Sequence, residues 1–372
     1  MRIAVVHEWL LDYAGSERVL AEILRCFPQA DLYALVDRMS EGDRAHIGGR
    51  RARTTFLQRM PGIPKHLRYY VPLMPIAIEQ LDLSGYDVVI SSNHTVAKGV
   101  ITPPDSLHVS YVHSPMRWAW DLQHDMLAEE GMADGARSIL ARWLLHRLRL
   151  WDHRAAAGVD SFVANSQFVA RRIQKAYRRD ARVIYPPVDT DFFHPSGERE
   201  DFYVAVTRLI GYKRPDVLLD AFARLPDRRL VVVGEGPLLA RLRARAPRNV
   251  EFRGYLPGPE MRALLQRARA FIFPVVEDFG IAPVEAMACG TPVIALRRGG
   301  ATETVLGLED ERPTGVFFDE QSPESLAAAV QTFEAHAGRI SASACRARAE
   351  RFSAERFRSE FSACVSECAS RP

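Results

Sequence analysis

Short apolar runs alternate with amphipathic segments along most of the chain. The apolar runs are rich in Val, Ile, Leu and Phe, which is typical of parallel strands buried on both faces, and the amphipathic segments have the spacing of helices. This alternation predicts an α/β fold in which helical crossovers join mostly parallel strands. Strands are predicted at residues 2–9, 31–36, 86–93, 107–113, 161–166, 182–188, 201–209, 229–236, 249–256, 270–275, 291–296 and 314–319. Helices are predicted at residues 16–27, 136–157, 167–177, 215–225, 237–246, 259–269, 281–289 and 322–336.

The alternation is interrupted at 185–201, where YPPVDTDFFHPSGERED brings prolines, acids and a glycine together. We interpret this segment as a connection between domains. A length of 372 residues agrees, because it is more than one hydrophobic core usually serves. The sequence therefore predicts two Rossmann-like, doubly wound domains, at 1–188 and 189–351. Such domains bind ligands at the carboxyl ends of their strands, so we expect the site in a cleft between them.

Charge and cysteine content narrow the class of protein. A net charge of +3 gives no argument for nucleic-acid binding. The five cysteines are odd in number and scattered, which favours reduced thiols in a cytoplasmic protein over a disulfide framework. Cys364 and Cys368 have the spacing of a metal-binding pair on a helix, but no further ligand is near in sequence and a packing role is favoured. We see neither a signal peptide nor an apolar run long enough to span a membrane.

The segment VVEDFGIAPVEAMACGTPVIALRRGG, residues 275–300, carries the strongest candidate site. A strand ends there and a helix is predicted to begin near Ile281, with Pro283 in its first turn and Gly290 at its end. The amides of Phe279, Gly280, Ile281 and Ala282 therefore lie at a helix N-terminus, which attracts phosphate, and Gly280 lets a ligand approach the backbone.

Two glutamates flank this helix start. Glu277 precedes it and Glu285 lies about one turn inside it, and a carboxylate can accept two hydrogen bonds from a sugar diol. The alternative is a helix-start acid and a buried, paired glutamate without a ligand. Eight residues apart across a loop-to-helix junction, the two are poorly placed to flank one bond as a hydrolase pair does.

A second candidate is TRLIGYKRPD, residues 207–216. Arg208 ends the first strand of the second half and Lys213 precedes the next helix. An arginine and a lysine at the carboxyl end of a strand suit a diphosphate, which Arg grips bidentately and Lys meets as a point charge. The alternative is a solvated basic loop.

Two segments of the first half complete the set. In HEWLLDYAGSERVL, Gly15 precedes a helix where Rossmann-like folds admit a phosphate or a sugar, although GxGxxG is absent. In YVHSPMRWAWD, His113 ends a strand at the expected cleft, although a lone histidine is more often structural. Arg117, Trp118 and Trp120 beside it can stack on a sugar or contact an acceptor.

Several catalytic motifs are absent from the sequence. There is no GxSxG, no P-loop and no zinc-ligand cluster. The DTD triplet at 189–191 has the letters of a metal-binding motif, but it lies in the predicted connection. We therefore predict no metal, with Arg208 and Lys213 taking its place at the diphosphate.

Together these segments resemble the retaining GT-B glycosyltransferases of glycosyltransferase family 4. EDFGIAPVEAMACGTPVIA followed by RGGATE resembles the family's E-x7-E region, and AGSERVL, YVHSPMRWAWD, VANSQFVARRI, IYPPVD and the Arg208–Lys213 pair occur in the family's order. The likeness covers nearly the whole chain, and HEWLLDYAGSERVL with HSPMRWAWDLQHDML resembles bacterial mannosyltransferases of surface-polysaccharide assembly. The first loop departs from the family pattern, because AGSE has one glycine where a pair is commoner.

The resemblance implies that a nucleotide sugar binds mainly to the second domain. Glu277 would bind hydroxyls of the transferred sugar, the amides of 279–282 the sugar and diphosphate, and Glu285 the ribose. Arg208 and Lys213 would hold the diphosphate and stabilise its charge as it leaves.

The remaining implied positions lie at the margins of the donor. Gly15 would let the diphosphate and acceptor approach, and His113 would contact the sugar at its 6-hydroxyl or through the backbone. The base would lie near Arg253 and Tyr255. The last helix, about 352–372, would cross back to the first domain.

The family's chemistry retains the anomeric configuration, and the departing phosphate is thought to take the acceptor proton. The resemblance thus implies a metal-independent hexosyltransferase that forms an α-glycoside on a lipid-linked or polysaccharide acceptor, with GDP-mannose as the favoured donor. UDP-, dTDP- and ADP-sugars stay open as donors. A GT-B-fold UDP-sugar epimerase, for which Glu8 and His113 are the available acid/base groups, and a non-catalytic sugar-nucleotide-binding subunit are the alternative functions.

The first half also carries a basic and aromatic surface that suits an anionic membrane with a lipid-linked acceptor. We predict peripheral docking at the inner face of the cytoplasmic membrane through residues 44–70. The basic residues of that run, which has no Asp or Glu, are Arg44, Arg50, Arg51, Arg53, Arg59, Lys65 and Arg68. In 137–151 we expect Leu140, Leu144, Leu148 and Trp151 to form a core stripe with the arginines in water.

Overall fold

The computed structural model describes residues 1–63 and 65–370, and its strands follow the predicted order. Every predicted strand is present, with ends displaced by a few residues. In the first half the strands are β1 (Ile3–Leu10), β2 (Asp31–Asp37), β3 (Arg53–Thr54), β4 (Val88–Asn93), β5 (Leu107–Val112), β6 (Ser161–Ala164) and β7 (Arg182–Val183). In the second half they are β8 (Phe202–Val206), β9 (Arg229–Val233), β10 (Val250–Gly254), β11 (Ala270–Phe273), β12 (Val293–Leu296) and β13 (Gly315–Phe318).

Helices connect the strands, and all the predicted ones are present. The α-helices are α1 (Gly15–Cys26), α2 (Glu41–Ala45), α3 (Met74–Glu79), α4 (Gln123–Glu129), α5 (Ala136–Ala155), α6 (Gln167–Tyr177), α7 (Pro215–Ala223), α8 (Leu239–Arg245), α9 (Gly258–Arg267), α10 (Ile281–Ala288), α11 (Ala301–Thr304), α12 (Pro323–His336), α13 (Ala342–Glu350) and α14 (Ala354–Ala369). Short 3-10 helices lie at Phe56–Arg59, Leu67–Leu73, Ala97–Gly99, Ala156–Gly158, Gly211–Lys213 and Ala337–Arg339. The sequence did not predict β3, α2, α3, α4, α11 or α13.

The strands form two parallel sheets. Their orders are β3-β2-β1-β4-β5-β6-β7 and β10-β9-β8-β11-β12-β13, and each adjacent pair is parallel. In both sheets the chain first extends to one side and then returns to build the other. This is the doubly wound order that the alternating pattern predicts.

The chain divides into two compact units. The first comprises Met1–Pro187 with Glu355–Pro372, and the second Val188–Ala354. The predicted domains were 1–188 and 189–351, with a last helix at about 352–372. That helix, α14, begins at Ala354 and belongs to the first unit, while residues 371 and 372 lie outside the described residues.

The core of the first unit needs α14. Phe357 and Phe361 are fully buried, and each ring lies against Tyr111 of β5, with centroid distances of 5.7 and 5.9 Å. Arg358 of the same helix donates to Glu22 of α1 at 2.6 Å. Cys364 is buried in the same cluster, in agreement with a packing role. Among the described residues, no helix combines the length and apolar character needed to cross a bilayer.

Candidate functional site

The two loops that carry the strongest motifs leave adjacent strands of the second sheet. β8 and β11 are hydrogen-bonded neighbours at the point where the strand order reverses. Such a reversal opens a crevice at the carboxyl edge of a parallel sheet. Arg208 and Lys213 follow β8, and Glu277 follows β11, so the fold brings together the two segments that the sequence singled out separately.

Lys213 and Glu277 form an ion pair across this edge. The Lys213 Nζ contacts Oε1 of Glu277, and the side chains are 11% and 22% exposed, so both still reach solvent. Arg208 is exposed and its Nη2 donates to the Tyr212 hydroxyl at 3.2 Å. The Lys213 ammonium also lies 5.7 Å from the centre of the Tyr212 ring. Two cations and a carboxylate thus occupy one small surface.

The helix that follows Glu277 starts as predicted. Gly280 precedes α10 with a φ of 87°, a conformation that favours glycine. A Cβ on Gly280 would also lie only 3.1 Å from the Phe273 ring. Phe279 is buried, and its ring meets that of Phe352 edge to face at 5.4 Å. The residues that set the amides of 279–282 at a helix start are therefore fixed by packing.

Gly299 and Gly300 pack against the backbone of the loop that carries Glu277. The Gly300 amide donates to the Glu277 carbonyl at 2.9 Å. A Cβ on Gly300 would come within 2.5 Å of the Phe279 carbonyl oxygen, and one on Gly299 would overlap the Glu277 carbonyl oxygen. Gly299 also has a φ of 69°. The family resemblance includes this RGG segment but assigns it no role. In the structure its two glycines let two backbone segments pack in direct contact.

Two further glycines were missed as site residues. Gly234 and Gly236 follow β9 with φ of 136° and 154°, and a Cβ on either would overlap the backbone of 207–209. The Leu209 amide donates to the Glu235 carbonyl at 2.8 Å. The spacing GEG after an apolar strand was the available signal. These glycines hold the Arg208 loop against the sheet.

The other predicted donor residues of the second unit are more dispersed. Glu285 lies inside α10 and is 7% exposed. Its charge adds to burial in raising the pKa of the neighbouring Cys289 thiol to about 12. Arg253 pairs with Glu251 at 2.5 Å, and Tyr255 is 74% exposed.

The predicted residues of the first unit lie at the carboxyl edge of its sheet. Gly15 is exposed and begins α1. His113 follows β5, and its Nε2 lies 2.8 Å from the Ser92 hydroxyl. Burial, together with the charges of His94 and His7, holds the pKa of His113 well below its ordinary value, so its ring is neutral at pH 7.

Ser92 links His113 to a buried acid that the sequence did not identify as functional. The Ser92 hydroxyl lies 3.1 Å from Nδ1 of His7, and Nε2 of His7 lies 3.1 Å from Oε1 of Glu17. Burial opposes ionisation of Glu17, but hydrogen bonding and the charge of His7, with a backbone hydrogen bond, outweigh it and lower the pKa of Glu17 to about 2.

Glu8, which the sequence offered as an acid/base group for an epimerase, binds backbone amides instead. It is fully buried, and its carboxylate accepts from the amides of residues 94–97 at 2.6–3.0 Å. This carboxylate fills the anion-binding loop after β4. Its oxygens hold the backbone, which is a structural role.

Several residues predicted to face a membrane or an acceptor bind within the protein instead. Arg50 donates to the carbonyls of Ala30, at 2.9 Å, and of Pro28. Trp120 donates from Nε1 to Asp152 at 2.8 Å, and its ring packs against the core, as does that of Trp118. These placements correct the prediction that Arg50 and Trp120 are free for external partners.

The other members of that predicted surface are exposed to different degrees. Arg51 pairs with Glu41 at 2.5 Å, Arg53 lies 3.9 Å from Asp31, and Arg68 lies 3.2 Å from Glu130. The acids that neutralise the run therefore come from outside it. Arg44 is the clearest case, because it is buried against Asp37 with two hydrogen bonds of 2.8 and 2.9 Å. Arg59 and Lys65 of the same run are exposed. Arg117, which lies outside the run, is half-buried.

The prediction for 137–151 is wrong at Leu140, which is 58% exposed. The buried face of α5 carries Leu145, Leu148 and Asp152 instead. Asp152 turns that face inward because it pairs with the buried Lys98 and accepts hydrogen bonds from Trp120 and Tyr177. Ile139, Trp143 and Leu150 join Leu140 on the exposed side, at 72%, 56% and 54%.

No group of three or more His, Cys, Asp or Glu side chains converges as metal ligands within residues 1–63 and 65–370. That the transfer reaction needs no metal stays a prediction.

Comparisons with known proteins agree with the fold and the motifs. The family model "Glycosyltransferase Family 4" matches residues 13–192, and "Glycosyl transferases group 1" matches residues 189–352. A crystal structure of Alr3699/HepE from Anabaena in complex with UDP superposes with a TM-score of 0.72 at 18% identity, covering 99% of this chain and 100% of that one.

Two relatives are similar in sequence over most of the chain. A GDP-mannose-dependent alpha-(1-6)-phosphatidylinositol dimannoside mannosyltransferase of Mycobacterium tuberculosis is 29% identical over 277 residues, which are 68% of this chain and 71% of the relative. A D-inositol 3-phosphate glycosyltransferase of Geodermatophilus obscurus is 31% identical over 275 residues, 64% of this chain and 60% of the relative. Taken with the two doubly wound sheets and the loops at their carboxyl edges, these matches show that the chain belongs to family 4 of the GT-B glycosyltransferases, enzymes that transfer a glycosyl group from a nucleotide sugar.

Proposed function

We propose that the protein is a retaining, metal-independent mannosyltransferase that moves mannose from GDP-mannose to a lipid-linked or polysaccharide acceptor and forms an α-glycosidic bond. The observation that carries the proposal is the Lys213–Glu277 ion pair at the switch point of the second sheet, beside Arg208 and the start of α10. These groups supply what a sugar diphosphate needs, namely cations, helix-start amides and a carboxylate for hydroxyls.

In this proposal the donor lies along the carboxyl edge of the second sheet. Arg208 and Lys213 bind the diphosphate, and Glu277 takes hydroxyls of the mannose while it orients Lys213. Glu285, one turn into α10, takes the ribose, and the base lies towards Arg253 and Tyr255. The cations stabilise the charge that develops on the leaving diphosphate, which is the largest contribution that such a site can make.

The choice of mannose follows from sequence similarity. The mycobacterial relative is named for GDP-mannose and matches more of the chain than the inositol-phosphate enzyme does. UDP-, dTDP- and ADP-sugars are the competing donors.

The donor is tested by incubating the protein with a panel of sugar nucleotides and measuring release of nucleoside diphosphate. GDP release from GDP-mannose above all other donors supports the proposal, and release from another sugar nucleotide refutes the donor. Isomerised sugar without release would favour an epimerase, and binding without turnover a non-catalytic subunit. Coupling constants of the product then report whether the bond is α.

A matched pair of variants connects the activity to the site. Lys213→Met removes the cation beside Glu277, and Arg224→Met removes a cation from the exposed Arg224–Glu324 pair of the same unit. Only the first variant should lose turnover. Equal rates in the two variants would show that the predicted diphosphate site is elsewhere.

To reach its acceptor, we propose, the protein docks on an anionic membrane through the exposed face of α5. Leu140, Trp143, Arg147, Leu150 and Arg154 share that face at helical spacing, and Asp152, the one acid in the α5 sequence, is buried. Apolar and aromatic side chains between arginines fit the headgroup region of an anionic bilayer.

Sedimentation with phosphatidylglycerol vesicles tests this docking surface. Trp143→Gln with Arg147→Glu should abolish binding at low salt, whereas Arg51→Glu with Arg53→Glu, in the run first predicted to dock, should change it little. Loss in the second variant alone would return docking to residues 44–70. No binding of the unmodified protein, or a dimer that the α5 variant dissociates, would refute the membrane as the partner of α5.

A further inference from the structure

A surface cavity of about 480 Å³ in the first unit is lined by two thiols of α14. Cys364 and Cys368 line it together with Ser161 and Arg182, the first residues of β6 and β7. Cys364 is buried and Cys368 is half-buried, so a reagent from solvent reaches Cys368 first. The cavity lies at the amino edge of the first sheet, opposite to the carboxyl edge that carries His113.

The two thiols interact with each other in the folded unit. Burial, together with the charge of Cys368 and a hydrogen bond to it, raises the pKa of Cys364 to about 11, although Arg182 opposes the rise. Arg182 in turn donates to Glu367 at 2.6 Å. Cys364 is therefore a neutral thiol at pH 7. Because the thiolate is the nucleophile, Cys364 should react slowly with alkylating reagents that consume a single thiol.

The spacing of the two cysteines on α14 is too wide for a disulfide. Both lie within the helix, which runs from Ala354 to Ala369. Cβ atoms four residues apart on a helix are about 5–6 Å from each other, whereas a disulfide needs about 3.5–4.5 Å. Closing a sulfur–sulfur bond would therefore unwind the last turns of α14. A single atom bonded to both sulfurs relaxes this restriction, because the sulfurs then lie up to about twice as far apart as in a disulfide.

The bridging atom has to be one that two sulfur ligands complete. A structural zinc ion takes four protein ligands, and within residues 1–63 and 65–370 no third Cys, His, Asp or Glu converges with the pair. Trivalent arsenic with one organic substituent forms three bonds, of which one is already made to carbon. Its remaining two bonds match the two thiols of α14.

We infer that Cys364 and Cys368 form a dithiol site for monosubstituted trivalent arsenicals. An arsonous acid, R–As(OH)₂, condenses first with Cys368: an As–S bond forms, an As–O bond breaks, and the thiol proton leaves with the hydroxyl as water. The Cys364 thiol then displaces the second hydroxyl in the same way, so that two waters leave and no oxidation state changes. Because the second step is intramolecular, the pair should bind about 10²- to 10⁴-fold more tightly than one thiol does.

Phenylarsine oxide, which hydrates to phenylarsonous acid, tests the site in the full-length protein. Native mass spectrometry should show one phenylarsenic group per chain, and three of the five cysteines should still titrate after denaturation. Cys368→Ser should weaken binding by about 10²- to 10⁴-fold. Cys364→Ala should do the same, and alanine brings no hydroxyl into the core. Cys26→Ser is the matched control, because Cys26 is also half-buried and contacts α14, through the Arg358 carbonyl, but has no cysteine one turn away. It should keep the full affinity.

Competition with small thiols provides the second measurement. Dimercaptopropanol should remove the arsenic, whereas mercaptoethanol at the same concentration of thiol groups should not, because only a dithiol replaces a chelate. Equal affinity in the unmodified protein and Cys368→Ser would overturn the inference, as would an adduct that Cys26→Ser abolishes. A Cys364–Cys368 disulfide formed by hydrogen peroxide in the folded protein would overturn the geometric argument. Mass and thiol count do not depend on catalysis, so this result stands whether or not a sugar nucleotide reacts.

Discussion

Replacing Gly300 by alanine should disable the loop that carries Glu277. The new Cβ would lie 2.5 Å from the Phe279 carbonyl oxygen and 2.7 Å from that of Asp278. Non-bonded atoms of this kind need about 3.5 Å, so one of the two backbones must retreat by roughly 1 Å. The hydrogen bond from the Gly300 amide to the Glu277 carbonyl, 2.9 Å long, couples that displacement to the site.

This displacement should lower both the turnover and the stability of the protein. A displacement of roughly 1 Å at reacting groups costs on the order of 100-fold in turnover. Overpacking costs about 1–3 kcal/mol in the free energy of unfolding. For a unit of this size, about 2 kcal/mol lowers the unfolding temperature by about 4–8 °C. Donor-dependent release of nucleoside diphosphate and a thermal unfolding scan measure the two effects.

Substitutions at two other glycines of the second unit separate the loss of turnover from the loss of stability. Gly338→Ala meets no atom within 4 Å and should change neither measurement. Gly315→Ala overlaps the Val293 carbonyl between β12 and β13, away from the loop, so it should lower stability with little loss of turnover per folded molecule. If Gly300→Ala keeps both its unfolding temperature and its rate, the glycine does not position the loop and the reasoning is wrong.

Three further predictions concern charged groups. Lys213→Met should lower kcat/KM for the donor by about 10²- to 10³-fold, with part of the activity kept in Lys213→Arg. Lys98→Met leaves Asp152 buried without its cation and should cost about 3–5 kcal/mol in urea denaturation. The pKa of Glu17 falls from 4.5 to about 2 on folding, which corresponds to about 3 kcal/mol of stability that is present above pH 4.5 and lost as the pH falls towards 2. The stability difference between Glu17→Gln and the unmodified protein should shrink over that interval.

Each of these has a contrary outcome. Unchanged kcat/KM in Lys213→Met would remove the cation from the proposed mechanism. A stable Lys98→Met would mean that Trp120 and Tyr177 alone satisfy Asp152. A pH-independent difference for Glu17→Gln would mean that Glu17 is not ionised in the folded protein.

The strands and main helices were predictable because their cause is local. Strands buried on both faces are continuously apolar, as in AFIF of β11, and the helices between them are amphipathic. The two-residue strand β3 has no such run, because it pairs at the sheet edge through Arg53 and Thr54. Nothing in its own sequence distinguishes it from a loop.

The site was predictable where one segment holds the whole feature, as in the start of α10. It was not predictable where the partner is distant in sequence. The run 44–70 contains no acid, yet Asp37, Glu41 and Glu130 come to it from outside. Helical spacing places residues on a common face of α5, but only the burial of Asp152 determines which face meets the core.

The position of α14 has a consequence for biosynthesis. Residues 188–354 form the second unit without interruption, so they can reach their native contacts as soon as they have left the ribosome. The first sheet, although translated earlier, lacks Phe357 and Phe361 until the end of the chain appears. The order of completion should therefore be the reverse of the order of synthesis, and the incomplete core against Tyr111 is where a chaperone would have the longest time to act.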